Sequence, residues 1–554
     1  MLVSEAVAAV LADLGADTVF GLVGSGNFDV TNALIARGAR FFAARHECGA
    51  TTMADAWARL AGRPGIVTVH QGPGLTNALT GITEAAKSRT PLVVLAADVG
   101  AGGLRSSFFI DVDAIVAGAG AVPARLHSPA FAVDDTIRAY RQAAWERRTV
   151  VLAMPLNVQA GECTMPAVGA VEPPGAVVPP ADAVSALAGH LAAARRPVFI
   201  AGRGARIAAA RADLERLADA CGALLATSAA AKGLFLGSPW DLDVSGGFAS
   251  PLAAKLIHGA DLIVGWGCTL GAWTTRHGGL IEPDATVVQV DDDAGAIGSR
   301  RPVTLGVVGD VALTARAAAD LLTGAPGREA EPAQAIGYRY PELRDRIGSG
   351  VRWRDVPFDD GTHDGRIDPR SLTIALDDLL PAERIVAVDS GNFMGYPSMF
   401  LSVPDADGFC FTQAFQSIGL GLASAIGSAI ARPDRLVVAA LGDGGALMGI
   451  SELETAVRLG LPMVIVVYDD EAYGAEVHHF GPQDKPTDTV RFPPADLAAI
   501  ARGYGCAAVT VRERADLGQV RGWLDGGRDA PLLIDAKVIA DRGSWWLEEA
   551  FRGH

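Results

Sequence analysis

The sequence is poor in cysteine. Six residues, Cys48, Cys163, Cys221, Cys268, Cys410 and Cys506, are scattered over 554 positions with no C-x-x-C pair. That spacing argues against a zinc cluster or a disulfide framework and predicts buried thiols in a reducing, cytoplasmic setting. Positive charge is also scarce: a net charge of −16 disfavours nucleic acid or an anionic membrane as partner. No stretch reaches the ~18 uninterrupted apolar residues of a membrane span. The start, MLVSEAVAAVLADLG, carries acids within its apolar periodicity and lacks a basic n-region, so an amphipathic helix rather than a signal peptide is expected.

At 554 residues the chain is too long for one core, and about 150 residues per domain predicts three or four units. The most informative stretch runs from Leu441 to Gly474. An apolar run, LVVAALG, ends in Gly442-Asp443-Gly444-Gly445, a helical segment follows, and a second run, MVIVVY, ends in Asp469-Asp470. This strand-turn-helix-strand unit places an acid at the carboxyl end of each strand, where open parallel sheets bind ligands. Glycines let backbone N–H groups approach a phosphate at the helix start, and Asp443 and Asp470 offer hard oxygens to a magnesium ion bridging it. The unit therefore reads as a diphosphate–metal site.

Elsewhere strand and helix alternate. TVFGLVG, FFAA, GIVTVH and PLVVLAAD read as strands of a first domain, residues 1–170. A Pro-rich connector precedes a central domain, 183–323, which opens with RPVFIAGRGARI. Its Gly202-x-Gly204 lacks the third glycine of a dinucleotide fingerprint, Ile207 standing there. Residues 324–366 are polar and rich in Gly and Pro and read as a surface connector. A last domain, 367–554, follows. The expected fold class is α/β, with three doubly wound parallel-sheet domains.

The Leu441–Gly474 unit resembles the thiamin-diphosphate motif of the acetohydroxyacid synthase, benzoylformate decarboxylase and pyruvate decarboxylase superfamily, in which GDG is followed by a spacer and an Asn pair. Here Asp469-Asp470 replaces Asn-Asn, with Asp470 lying 27 residues after Asp443. The resemblance implies thiamin diphosphate and Mg2+, with Asp443, Asp470 and the backbone carbonyl of Ala472 as metal ligands and Gly442, Gly444 and Gly445 at the diphosphate. It extends over nearly the whole chain, in the order pyrimidine-binding, central Rossmann-like and diphosphate-binding domain. It also implies a homodimer or homotetramer with active sites between subunits.

Residue by residue, the resemblance carries further. Glu47, in Arg45-His46-Glu47, matches the acid that hydrogen-bonds the aminopyrimidine ring and assists removal of the thiazolium C2 proton. A carboxylate there would also suit a helix start, worth about 0.3–1 kcal/mol. Ser25 and His70 match active-site residues of benzoylformate decarboxylase, and the synthases' Phe-Gln pair falls on Ile110-Asp111. Asn392 matches a diphosphate-holding turn. Gln416-Ser417-Ile418-Gly419 is similar to the stretch whose apolar residue, here Ile418, wedges between the cofactor rings. Glu476 falls where pyruvate decarboxylase has an acid assisting protonation, and His478-His479 follow. Trp545-Trp546 would form a lid or a dimer contact. An isolated Ser or His in a loop is otherwise a solvated or locally bonded residue.

The resulting expectation is decarboxylation of a 2-oxo acid, with aldehyde release or carboligation. The alternatives are a lyase of 2-hydroxy ketones or 2-hydroxyacyl thioesters and a catalytically silent scaffold. FAD is not expected: the Arg of flavin-carrying synthases falls near Thr269, and the G-x-G turn is incomplete.

Overall fold

The computed structural model describes residues 1–100, 102–165, 172–324 and 337–550. Three six-stranded sheets follow one another along the chain, and every strand pair in them is parallel. In the first sheet, β1 (Thr18–Gly21), β2 (Arg40–Ala43), β3 (Gly65–Val69), β4 (Leu92–Asp98), β5 (Val122–Arg125) and β6 (Thr149–Pro155) run in the order β2-β1-β3-β4-β6-β5. In the second, β7 (Pro197–Ala201), β8 (Leu224–Thr227), β9 (Asp241–Val244), β10 (Leu262–Trp266), β11 (Thr286–Asp291) and β12 (Leu305–Val308) run β12-β11-β10-β7-β8-β9. In the third, β13 (Arg384–Val388), β14 (Phe409–Phe411), β15 (Leu436–Gly442), β16 (Val464–Asp469), β17 (Ala507–Val511) and β18 (Leu532–Lys537) run β14-β13-β15-β16-β18-β17.

Alternate residues of a strand enter different cores, which is why the central strands are apolar throughout. On β15, Val437, Ala439 and Leu441 face one buried cluster while Leu436, Val438 and Ala440 face another. The first of these clusters also contains Val67 and Val69 of β3, so the first and last domains share a core. The helices Glu47–Ala61 and Gly421–Ala431 meet there. They cross closely because Gly427 lacks a Cβ, which would sit 2.2 Å from the Met53 carbonyl oxygen.

One detail departs from expectation. The expected connector contains a helix, Pro341–Gly350, whose buried Leu343 and Ile347 pack on the central domain; residues 325–336 of that connector lie outside the described ones. The Gly202-x-Gly204 turn has a packing role. A Cβ at Gly202 would lie 2.4 Å from the Gly267 oxygen, and one at Gly204 2.7 Å from the Gly267 Cα. All six cysteines are free thiols, and among the described residues no helix is long and apolar enough to cross a membrane.

Candidate active site

The Leu441–Gly474 unit folds as read, with one refinement: its helix is two helices, Asp443–Met448 and Glu452–Arg458. The first starts at the carboxyl end of β15, where first-turn N–H groups have no partner within the helix. Its glycines are required by close approach. A Cβ at Gly444 would lie 2.5 Å from the Tyr473 ring, and one at Gly445 2.5 Å from Asp389 Oδ2. A cavity of about 740 Å³ opens over this start, and its walls include Gly442, Asp443, Gly444, Gly445, Asn392 and Asp470.

Asp443 and Asp470 stand in this cavity as neighbouring carboxylates. Burial first, then the charges of Asp470 and Asp469, pushes the Asp443 carboxyl far up. Burial likewise raises Asp470, although the Asn392 amide and the Ala472 N–H bond to it. Two adjacent buried acids are what a divalent metal would neutralise. Among the described residues no group of three His, Cys, Asp or Glu side chains could hold a metal. Two carboxylates, a carbonyl and phosphate oxygens form the kind of set Mg2+ accepts, so the residues present fit both groups. The turn bearing Ala472 is fixed by Tyr473 N–H to the Val490 carbonyl (2.9 Å) and Phe492 N–H to the Glu471 carbonyl (2.9 Å), which leaves the Ala472 carbonyl out of that ladder.

Ile418 and Gln416 line the same cavity. Their loop is pinned at both ends. Glu84 of the first domain accepts the N–H groups of Ala414 (3.1 Å) and Phe415 (2.6 Å), and Asp389 accepts those of Gly419 (3.0 Å) and Leu420 (3.3 Å). Half-buried Glu476 lines the cavity from the first turn of the helix Gly474–Phe480. Burial, then Arg491, holds His478 below the ordinary histidine value.

Glu47 is 6 % exposed and accepts from Asn77 Nδ2 at 3.0 Å. It does not line the large cavity. Its neighbours His46, Cys48 and Asn77 line a second space of about 260 Å³ together with Ile418 and Met448, which also line the first. Ser25 and His70 form a separate face. The Gly26 N–H donates to His70 Nδ1 at 3.1 Å, and the His70 ring meets Phe108 edge-on at 5.2 Å. Neither Ser25 nor His70 lines the large cavity of this chain. Of the Ile110-Asp111 pair, Asp111 caps a helix by accepting the Ala114 N–H at 3.1 Å.

Sequence reasoning missed Glu452 and the central domain's Trp273 and His277, while the tail's Trp546 takes the lid position of the two expected for it. Glu452, 2 % exposed, accepts the N–H groups of Arg45 and His46, each at 3.0 Å, and so ties the residues before Glu47 to the last domain. The central domain lends Trp273 and His277 to the large cavity. The tail closes over it, with Trp546 Nε1 donating to the Asn392 carbonyl at 2.9 Å and its ring lying 5.5 Å from that of Trp273. Asn392 therefore joins Asp470 to the tail, its Oδ1 accepting the Ser544 N–H at 3.0 Å.

Residues 1–115, 184–318 and 389–536 match the N-terminal TPP binding domain, the central domain and the C-terminal TPP binding domain of thiamine pyrophosphate enzymes. A probable 2-ketoarginine decarboxylase, AruI, of Pseudomonas aeruginosa is 32% identical over 540 residues, covering 94% of this chain and 91% of that protein. The chain belongs to the thiamine pyrophosphate enzyme family. As a thiamine pyrophosphate enzyme it takes thiamin diphosphate as its cofactor. Sulfoacetaldehyde acetyltransferase of Castellaniella defragrans is 28% identical over 542 residues, covering 93% of this chain and 89% of that enzyme. The thiamine diphosphate-dependent 4-hydroxybenzoylformate decarboxylase of Rhodococcus jostii RHA1 superposes with a TM-score of 0.80 over 97% of this chain and 99% of its own. At 22% identity that likeness speaks for the fold.

Proposed function

We propose that this enzyme decarboxylates a 2-oxo acid, using thiamin diphosphate with Mg2+, and then releases an aldehyde or passes the acyl unit to a second carbonyl. The supporting observation is that the Asp443–Asp470 pair, the glycine cradle and Glu476 share one cavity whose walls include Trp273, Phe411 and Trp546. Bound there, the cofactor would supply an electron sink for the carbanion left by departing carbon dioxide. Asp443, Asp470 and the Ala472 carbonyl would hold the cation, and the N–H groups of Gly444 and Gly445 would meet the diphosphate. Glu476 would deliver a proton to product, while the indole and phenyl walls would keep bulk water out.

Oligomerisation is part of this proposal. Ser25 and His70 lie off the cavity of their own chain, so a homodimer or homotetramer in which a second copy brings these residues and Glu47 to the cofactor would complete the site. Cytoplasmic location and the absence of tightly bound FAD belong to the same reading; a yellow protein with stoichiometric flavin would revise it.

The names of the relatives suggest the panel: 2-ketoarginine, pyruvate and benzoylformate-type acids, each with thiamin diphosphate and Mg2+, with and without an aldehyde acceptor such as sulfoacetaldehyde. Carbon dioxide release from at least one acid is expected. No release from any of them, with or without acceptor, would overturn the decarboxylase reading.

A further inference from the structure

Where its relatives by resemblance carry an amide before the metal ligand, this chain carries a second acid, Asp469, and the structure supplies it with a counter-charge. Asp469 ends β16 and Lys537 ends β18, and the two are register partners on adjacent parallel strands. Lys537 Nζ donates to Asp469 Oδ2 and to the Ala495 carbonyl at 3.0 Å, and it forms an ion pair with Asp535 Oδ1 at 3.1 Å. The three side chains are buried, with 2 %, 6 % and 1 % exposure for Asp469, Lys537 and Asp535. Both Asp535 oxygens lack any geometrically good hydrogen bond, and among the described residues Lys537 is the cation paired with both acids.

Asp469 also reaches toward the site. Its Oδ1 accepts the Glu471 N–H at 3.1 Å. Glu471 is in the left-handed region, with φ 58, a conformation that a non-glycine residue holds only when its surroundings impose it. Arg366 holds the Glu471 carboxylate at 2.7 Å. The turn so fixed presents Asp470 and the Ala472 carbonyl. An unneutralised Asp469 would add a third negative charge beside Asp443 and Asp470 and would itself be a buried charge without a partner.

We propose that Lys537 is a positioning residue of the cation site: by neutralising Asp469 it holds the 469–472 turn that presents Asp470 and the Ala472 carbonyl. The inference rests on the cation-site reading above. It explains how this chain uses an acid where an amide would need no counter-charge.

The test measures thiamin diphosphate binding with Mn2+ as the divalent probe, by calorimetry, together with circular dichroism and Tm, for wild type, Lys537→Met, Asp469→Asn and the Asp469→Asn/Lys537→Met double variant. Lys537→Met is expected to bind at least tenfold more weakly. The double variant is expected within threefold of wild type, because the amide introduced by Asp469→Asn still accepts the Glu471 N–H and can donate to Asp535. Binding by Lys537→Met within threefold of wild type overturns the proposal, as does a double variant no tighter than Lys537→Met. Should Lys537→Met fail to fold, the double variant decides alone: binding within threefold upholds the role, and a loss beyond tenfold overturns it. Metal-independent binding by wild type would instead sink the cation-site reading itself, so the two failures are distinguishable.

Discussion

Glu452→Ala tests whether the last domain holds the Glu47 loop of the first. Glu452 accepts backbone N–H groups from Arg45 and His46, each at 3.0 Å, and the Thr455 hydroxyl at 2.7 Å. Alanine takes the charged acceptor from two part-buried N–H groups, at about 1–3 kcal/mol each, so about 2–6 kcal/mol in all. If most of that loss is relieved by movement of residues 45–47, Glu47 leaves its place, and at about 1.4 kcal/mol per decade kcat/KM falls by at least about 30-fold. Glu452→Gln is the control. Its amide oxygen can keep both N–H bonds while its NH2 group donates to Thr455. Both N–H groups keep an acceptor, so residues 45–47 stay in place and kcat/KM should fall much less than for Ala. The assay is kcat/KM on an acid that the panel identifies, with Tm measured in parallel. A folded Glu452→Ala variant within threefold of wild type would refute the reasoning.

Three further outcomes are expected. Asp470→Asn should still bind thiamin diphosphate with Mg2+, since loss of attraction to the metal is partly offset by less repulsion toward the diphosphate, whereas Asp470→Ala should lose metal-dependent binding; calorimetry showing Ala as tight as wild type would remove Asp470 from the ligands. His70→Ala should lower aldehyde release at least tenfold, about 1.4 kcal/mol of barrier, while ligation to added aldehyde falls less, as product ratios would show; equal loss of both would move His70 to a step before the branch. The third concerns pH. Burial pushes the Asp389 carboxyl up to about 6 against the N–H groups that bond it. The folded state thus keeps this proton to higher pH than the unfolded state, so the group's contribution to stability falls as pH rises from about 4 to about 6 and is level above. The Tm of wild type minus that of Asp389→Asn should therefore decrease over this window; an increase would mean that the N–H donors outweigh burial.

What could be read in advance followed from local pattern. An apolar run followed by Gly-Asp-Gly-Gly specifies a strand and a tight start of helix from neighbouring residues alone, and the β15 to β16 unit formed there. The central strands, apolar on both faces, were legible for the same reason. Two edge strands were not. β5 (VPAR) and β9 (DLDV) are only partly buried, so no apolar run announces them, and their strand character comes from a neighbour's hydrogen bonds. The connector hid a helix because only two of its residues, Leu343 and Ile347, are buried.

By itself the sequence determined that this is an α/β chain of three parallel-sheet units with a glycine-cradled pair of acids, because strand, turn and ligand type are encoded in contiguous residues. Only the tertiary structure decided that Glu452 grips the backbone before Glu47 across 407 and 406 positions, that Lys537 neutralises Asp469 across 68, and that Trp273 and Trp546 wall the cavity. It also decided that Ser25 and His70 do not line that cavity in their own chain. These relations join residues far apart in sequence, and the burial that gives a charge pair or a hydrogen bond its strength exists only once the sheets have packed.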